Sequence, residues 1–138
     1  MLKKVVTDTI KKLDFPAASY PVFSGAVLAV HGIRSAADID IVAQPDLFLN
    51  LKQSGEWKLT TRYEDDTEFL QRDSFEIASK LAWSEYPVTL TEAKEHEDMI
   101  DGVPFMSLED VIQFKQAMGQ DKDTEDIALI KKYVAGSS

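Results

Sequence analysis

Two carboxylates at alternate positions, Asp38 and Asp40 in the run Asp38-Ile39-Asp40-Ile41, are the residues of this chain best placed to do chemistry. On a β-strand successive side chains point to opposite faces, so the two acids project together while Ile39 and Ile41 enter a core. Adjacent oxygen donors suit a hard divalent cation such as Mg²⁺, whose remaining positions take water or phosphate oxygens. Without such a cation the pair has little stabilising logic, because Asp is disfavoured in strands and like charges side by side repel. Upstream, Ser24-Gly25 opens an apolar run that closes at His31-Gly32. A helix starting near Gly25 would offer backbone N–H groups to an anion. A metal site and a phosphate site would then be neighbours.

The remaining candidates divide between chemistry and structure. Arg34 lies in the loop before the acidic strand, where its planar fork can pair with Asp38 or Asp40 when no metal is present. His31 precedes a C-capping glycine, a position at which helix carbonyls and the helix dipole satisfy it, so no base role is assigned. His96 lies in Lys-Glu-His-Glu-Asp, a solvated helix face, and is given none either. Asp123 reads as the N-cap of the last helix with Asp126 in its first turn. The acidic run Glu64-Asp65-Asp66 reads as a solvated turn.

The elements that must hold these residues follow from periodicity. Residues 2–13 put Leu2, Val5, Val6, Ile10 and Leu13 on one helical face, ended by Pro16. A brief strand over 20–23 leads into the helix closed by Gly32, and 38–42 form the first clear strand. Pro45 and Gly55 bracket a helix carrying Leu47, Phe48 and Leu51 inward. From Trp57 the period becomes two, giving strands at 57–62, 68–72 and 75–78 as an antiparallel extension. A short helix capped by Thr89 or Thr91 runs to about Met99, followed by a turn at Asp101-Gly102 and a short strand over 103–106. Ser107 opens a helix stopped at Gly119, and the last helix follows. With no repeat or low-complexity segment, this is an α+β architecture, a mixed sheet with helices on it.

Length and composition set further bounds. A chain of 138 residues with 44% hydrophobic residues is expected to form one domain over 1–138, with a frayed tail at 135–138. The absence of cysteine excludes disulfides, zinc–thiolate sites and thiol catalysis. No apolar run is long enough to span a bilayer and the start has no signal-peptide core, so no membrane partner and a cytoplasmic location are expected. A net charge of -9 disfavours strong direct binding to long nucleic acid, whereas a metal-chelated nucleotide is acceptable.

The stretch from Phe23-Ser24-Gly25 through His31-Gly32 and Arg34 to Asp38-Ile39-Asp40-Ile41 resembles the active-site signature of the DNA polymerase β-like nucleotidyltransferases. That signature is a hydrophobic residue, Gly with Gly or Ser, a spacer, then Asp-hydrophobic-Asp-hydrophobic. The form here looks most like the small bacterial members, including toxin-like ones related to abortive-infection systems. A second stretch, Met106 to Lys115 followed by Gly119-Gln120-Asp121-Lys122-Asp123 and Asp126-Ile127, resembles their C-terminal signature. Ser24 stands where the first Gly is usual, and Gln120 where Arg is common.

The resemblance implies a nucleotidyltransferase fold in which Asp38 and Asp40 hold one or two Mg²⁺ (or Mn²⁺) ions and Ser24 and Gly25 cradle the β- and γ-phosphates. It points to Arg34 and Lys115 as phosphate contacts and to Asp123 beside them. It also implies a third carboxylate from a later strand. Glu76, in Phe75-Glu76-Ile77-Ala78, is expected to share the face of Asp38 and Asp40, with Asp73 better explained as a turn residue. The implied activity is metal-dependent transfer of a nucleoside monophosphate from a nucleoside triphosphate to an acceptor hydroxyl. The acceptor would be a small molecule, a partner protein, or RNA brought by a partner. The alternative is a non-catalytic nucleotide-binding or regulatory module of the same fold, in a toxin–antitoxin pair or as a homo-oligomer.

Overall fold

A computed structural model describes residues 1–82 and 85–136. Within them the chain forms one seven-stranded mixed sheet and six α-helices. In chain order the strands are β1 (Val22–Phe23), β2 (Ile39–Val42), β3 (Lys58–Arg62), β4 (Thr67–Arg72), β5 (Phe75–Ala78), β6 (Asp98–Ile100) and β7 (Val103–Phe105). Their order across the sheet is β3-β4-β5-β2-β1-β7-β6. Strands β3, β4 and β5 form an antiparallel meander, and β5 then lies parallel to β2. Strand β2 is antiparallel to β1, which runs parallel to β7, and β6 closes the far edge against β7.

The helices are α1 (Lys3–Lys11), α2 (Gly25–Val30), α3 (Pro45–Ser54), α4 (Leu90–Glu95), α5 (Leu108–Met118) and α6 (Asp121–Gly136). Helix α2 is apolar all round, and Ala26 through Val30 are all buried, as expected for an internal helix rather than an amphipathic one. Ile39 and Ile41 of β2 are fully buried with Val22, Leu70, Ile77 and Phe105. Truncating either isoleucine to Ala would cost about 2–5 kcal/mol. Helix α3 starts with Pro45 and stops at Gly55, whose φ of +73° is the left-handed conformation that glycine adopts without strain. None of the helices in the described residues is long and apolar enough to cross a membrane.

Several boundaries differ from the sequence reading, each for a local reason. Asp38 lies in the bend before β2, not in the strand, because ladder pairing with the β5 side begins at Ile39, whose N–H donates to the Ser74 carbonyl. In α1, Val6 and Ile10 are buried while Leu2 and Val5 face solvent. Thr89, not Thr91, caps α4, through a reciprocal capping box with Glu92, and the helix ends at Glu95. Asp98–Ile100, expected at the end of that helix, is instead the edge strand β6. Helix α6 begins at Asp121, so Asp123 is not its N-cap. The residue stands in the first turn and its carboxylate accepts the Gln120 N–H at 3.3 Å. The expected frayed tail is helical as far as Gly136, and Ser137 and Ser138 lie outside the described residues.

Candidate functional site

A cavity of about 1050 Å³ opens between the sheet and the α5–α6 pair, and Ser24, Gly25, Arg34, Asp38, Asp40, Glu76 and Lys115 all line it. Its sheet wall follows from strand alternation. With Ile39 and Ile41 directed into the core, Asp40 points the other way. The parallel register sets Asp40 opposite Glu76, so the two carboxylates come from neighbouring positions on one face. Asp38 reaches the cavity from the bend at the mouth of β2 and is exposed.

Glu76 is already engaged. Arg62, at the end of β3, crosses β4 to reach it, with Nη1 donating to Oε1 at 2.7 Å and Nη2 to Oε2 at 2.9 Å. Gln71 Nε2 donates to Oε2 at 3.1 Å. The Arg62 guanidinium also sits over the Phe69 ring, 4.5 Å from its centroid. Burial pushes the Glu76 carboxyl up, but the bonds from Arg62 and Gln71 outweigh it and hold the group below its ordinary value. Asp40 has the opposite fate. Burial first, then the charges of Glu76 and Asp38, push its carboxyl up to about 7, with Lys115 and Lys122 only partly offsetting them.

The helical wall is built from ion pairs. Arg34 Nε and Nη2 donate to the two oxygens of Asp126 at 2.7 and 2.8 Å, and Nη1 donates to the Ser35 carbonyl at 2.8 Å. Lys115 Nζ lies 3.3 Å from Asp123 Oδ1 and 3.0 Å from Asp126 Oδ2. Only 4% of the Lys115 side chain is exposed, against 35% for Arg34. Burial raises the Asp126 carboxyl, but hydrogen bonds from Arg34 and Lys115 bring it below its usual value. Arg34 therefore pairs with neither Asp38 nor Asp40, and Lys115 is held by two carboxylates. Asp126 acts through its side chain on α2's neighbour loop and α5, not as a first-turn residue answering the dipole.

Ser24 and Gly25 form the remaining corner. Ser24 has φ +63° and ψ -136°, a conformation natural to glycine, and its side chain makes no capping bond to α2. The usual glycine of the resembling signature would sit here unstrained. At Gly25 a Cβ would come 3.3 Å from Arg34 Nη2, so the absence of a side chain lets the pinned guanidinium lie against the start of α2.

The sequence reading missed Arg62 and Asp126 as members of this cavity wall, and Gln71 as a partner of Glu76 behind it. Alternation in Lys58–Arg62 carries the signal that Arg62 shares a face with Thr60 and Lys58, but not that β3 lies two strands from β5. His31 also differs from expectation, whereas His96 stays largely exposed. The His31 Nε2 is buried with no hydrogen-bond partner among the described residues, its ring packs on Tyr133, and burial lowers its pKa. His96 lies 3.2 Å from the buried Asp110 carboxylate.

Whether these residues fit a divalent ion is answered by the donor set. Asp40 and Glu76 supply hard oxygens from paired strands with Asp38 nearby, and the Asp40 carboxyl is raised by burial first and by the charges of Glu76 and Asp38 second, a charge contribution that a cation would relieve. As the side chains stand, no three His, Asp or Glu among the described residues are gathered as a metal-ligand group. Both Glu76 oxygens are turned to Arg62 instead.

Fold and site together define a mixed α/β protein with an acidic sheet wall facing a cationic, ion-paired helical wall across one cavity. Compared with family models, curated proteins and solved structures, the chain matches none of them.

Proposed function

We propose that this protein is a metal-dependent nucleotidyltransferase that binds a Mg²⁺– or Mn²⁺–nucleoside triphosphate in the cavity and transfers the nucleoside monophosphate to an acceptor hydroxyl. The observation that carries the reading is the pairing of Asp40 with Glu76 in register, on the one sheet face that opens into a cavity also lined by Ser24, Gly25, Arg34 and Lys115. Asp38, Asp40 and Glu76 would hold the metal, which when bound neutralises phosphate charge and stabilises the charge that develops at the reacting phosphorus. Arg34 and Lys115 place positive charge on the opposite wall, where a triphosphate would lie. A nucleotidyltransferase fold, a cytoplasmic location and a role in a toxin–antitoxin pair belong to the same proposal and rest on the two sequence signatures.

A second reading, a non-catalytic nucleotide-binding module of the same fold, has its own support. Arg34 and Lys115 are both paired with carboxylates, and Ser24 strains the corner where phosphate would approach the backbone.

Titration calorimetry with each nucleoside triphosphate, with and without Mg²⁺ or Mn²⁺, tests the first reading. Binding is expected to require the metal and to vanish in Asp38→Asn with Asp40→Asn, while the fold stays intact. Normal metal–nucleotide binding by the double variant would place the site elsewhere. Metal-dependent binding without turnover on any acceptor hydroxyl offered would favour the second reading.

A further inference from the structure

The Arg62–Glu76 pair is unusual in its reach. Arg62 sits on β3 and Glu76 on β5, with the whole of β4 between them, a separation of roughly 10 Å across the sheet. The acidic turn Glu64-Asp65-Asp66, which begins two residues after Arg62, offers carboxylates closer in sequence. Asp65 is instead engaged by Lys80 and by Thr67. Arg62 extends over Phe69 and delivers both terminal nitrogens to Glu76, beside Asp40. Asp40 has no arginine or lysine of its own within ion-pair distance among the described residues. The guanidinium thus occupies, for this pair of acids, the place a cation would take. It is not locked there. Arg62 and Glu76 keep 37% and 28% of their side chains exposed, and the long arginine stem can withdraw along Phe69 without opening the core.

We infer that Arg62 is a stand-in cation for the carboxylate site: it holds Glu76 away from Asp40 until a divalent ion displaces it, and so sets how tightly this protein takes its metal. The inference deepens the nucleotidyltransferase reading and rests on it. It accounts for the absence of a gathered ligand group among residues that the register places side by side. Arg62 is here a positioning residue, acting through Glu76 rather than on a reacting atom.

The test is Mn²⁺ affinity of the full chain without nucleotide, by calorimetry and by electron paramagnetic resonance of free Mn²⁺. Wild type is compared with Arg62→Gln, Arg62→Lys and, as a charge control, Lys80→Gln. Lys80 also lines the cavity but pairs with Asp65. Arg62→Gln is expected to bind Mn²⁺ roughly three- to fivefold more tightly, the scale of one partly exposed ion pair released. Arg62→Lys should fall between, because a point charge replaces the fork less well. Lys80→Gln should match wild type. Equal affinity in wild type and both Arg62 variants overturns the stand-in role and leaves the metal reading standing. Equal tightening in Lys80→Gln and Arg62→Gln also overturns it, since bulk charge would then be the cause. No Mn²⁺ binding by any of the proteins overturns the metal reading itself.

Discussion

The two walls of the cavity solve the same problem, carboxylates out of water, in opposite ways. On the helical wall, Asp123 and Asp126 meet Lys115 and Arg34, and the charges close on one another. On the sheet wall, three acids face one half-exposed arginine, and Asp40 is left with a carboxyl raised to about 7. A saturated ion network holds structure together and meets a ligand only by loosening its own pairs. An unsaturated one is destabilising until something cationic arrives. The contrast separates a wall that builds the cavity from a wall that has chemistry to spare.

The sharpest way to break the contrast is to remove the buried cation. Lys115→Met leaves Asp123 without the lysine it pairs with and Asp126 with Arg34, and is expected to cost about 3–5 kcal/mol. Arg62→Gln, taken from the half-exposed pair on the sheet wall, should cost under about 1 kcal/mol. Urea denaturation read in parallel checks both. Similar losses for the two variants would erase the distinction between the walls.

A gain in stability is expected from the sheet wall itself. The Asp40 carboxyl goes from its ordinary 3.8 to about 7 on folding, so the folded state binds more protons than the unfolded chain between those values. The contribution of this group is therefore neutral below about pH 4 and grows unfavourable as pH rises to about 7. Asp40→Asn removes this loss. It should match wild type near pH 4 and exceed it by about 2 kcal/mol at pH 8, half of the roughly 4 that the whole shift represents, because the group is partly open to solvent. Denaturation profiles of the two proteins from pH 4 to 8 give the difference directly. A difference that does not grow with pH would mean that Asp40 is well compensated after all.

The smallest effect belongs to Ser24. Since the backbone there has positive φ and the side chain caps nothing, Ser24→Gly should gain about 0.5–1 kcal/mol, and Ser24→Ala should change little. Thermal unfolding of both variants separates strain from capping. A loss in Ser24→Ala would reveal a side-chain role.

What was legible in the sequence was local. Alternation in Ile39–Val42 and Phe75–Ala78, the proline and glycine that bracket α3, and the Ser107 cap of α5 are all written within a few residues. The β6 strand was hidden because three residues, Asp98–Ile100, lie in a charged segment and pair only with β7. The candidate lining of the cavity was readable from residue type and spacing. The partners of that lining were not. Arg34 and Asp126 are 92 residues apart, and Arg62 reaches Glu76 only because the meander sets β3 two strands away. Electrostatic pairing between distant elements leaves no periodic trace in a sequence, whereas the faces that such elements present do.

The 92-residue span closed by Arg34 and Asp126 also bears on how the molecule assembles. Joining such remote points costs loop entropy that only a nearly complete fold can offset. The β2–β5 sheet and its meander are therefore expected to form before α6 docks, with the arginine–aspartate clamp among the last contacts made. Contacts made after the folding transition state slow unfolding without speeding folding. The clamp thus acts as a kinetic latch: weakening it should shorten the lifetime of the native cavity in stopped-flow unfolding and leave the refolding rate nearly unchanged.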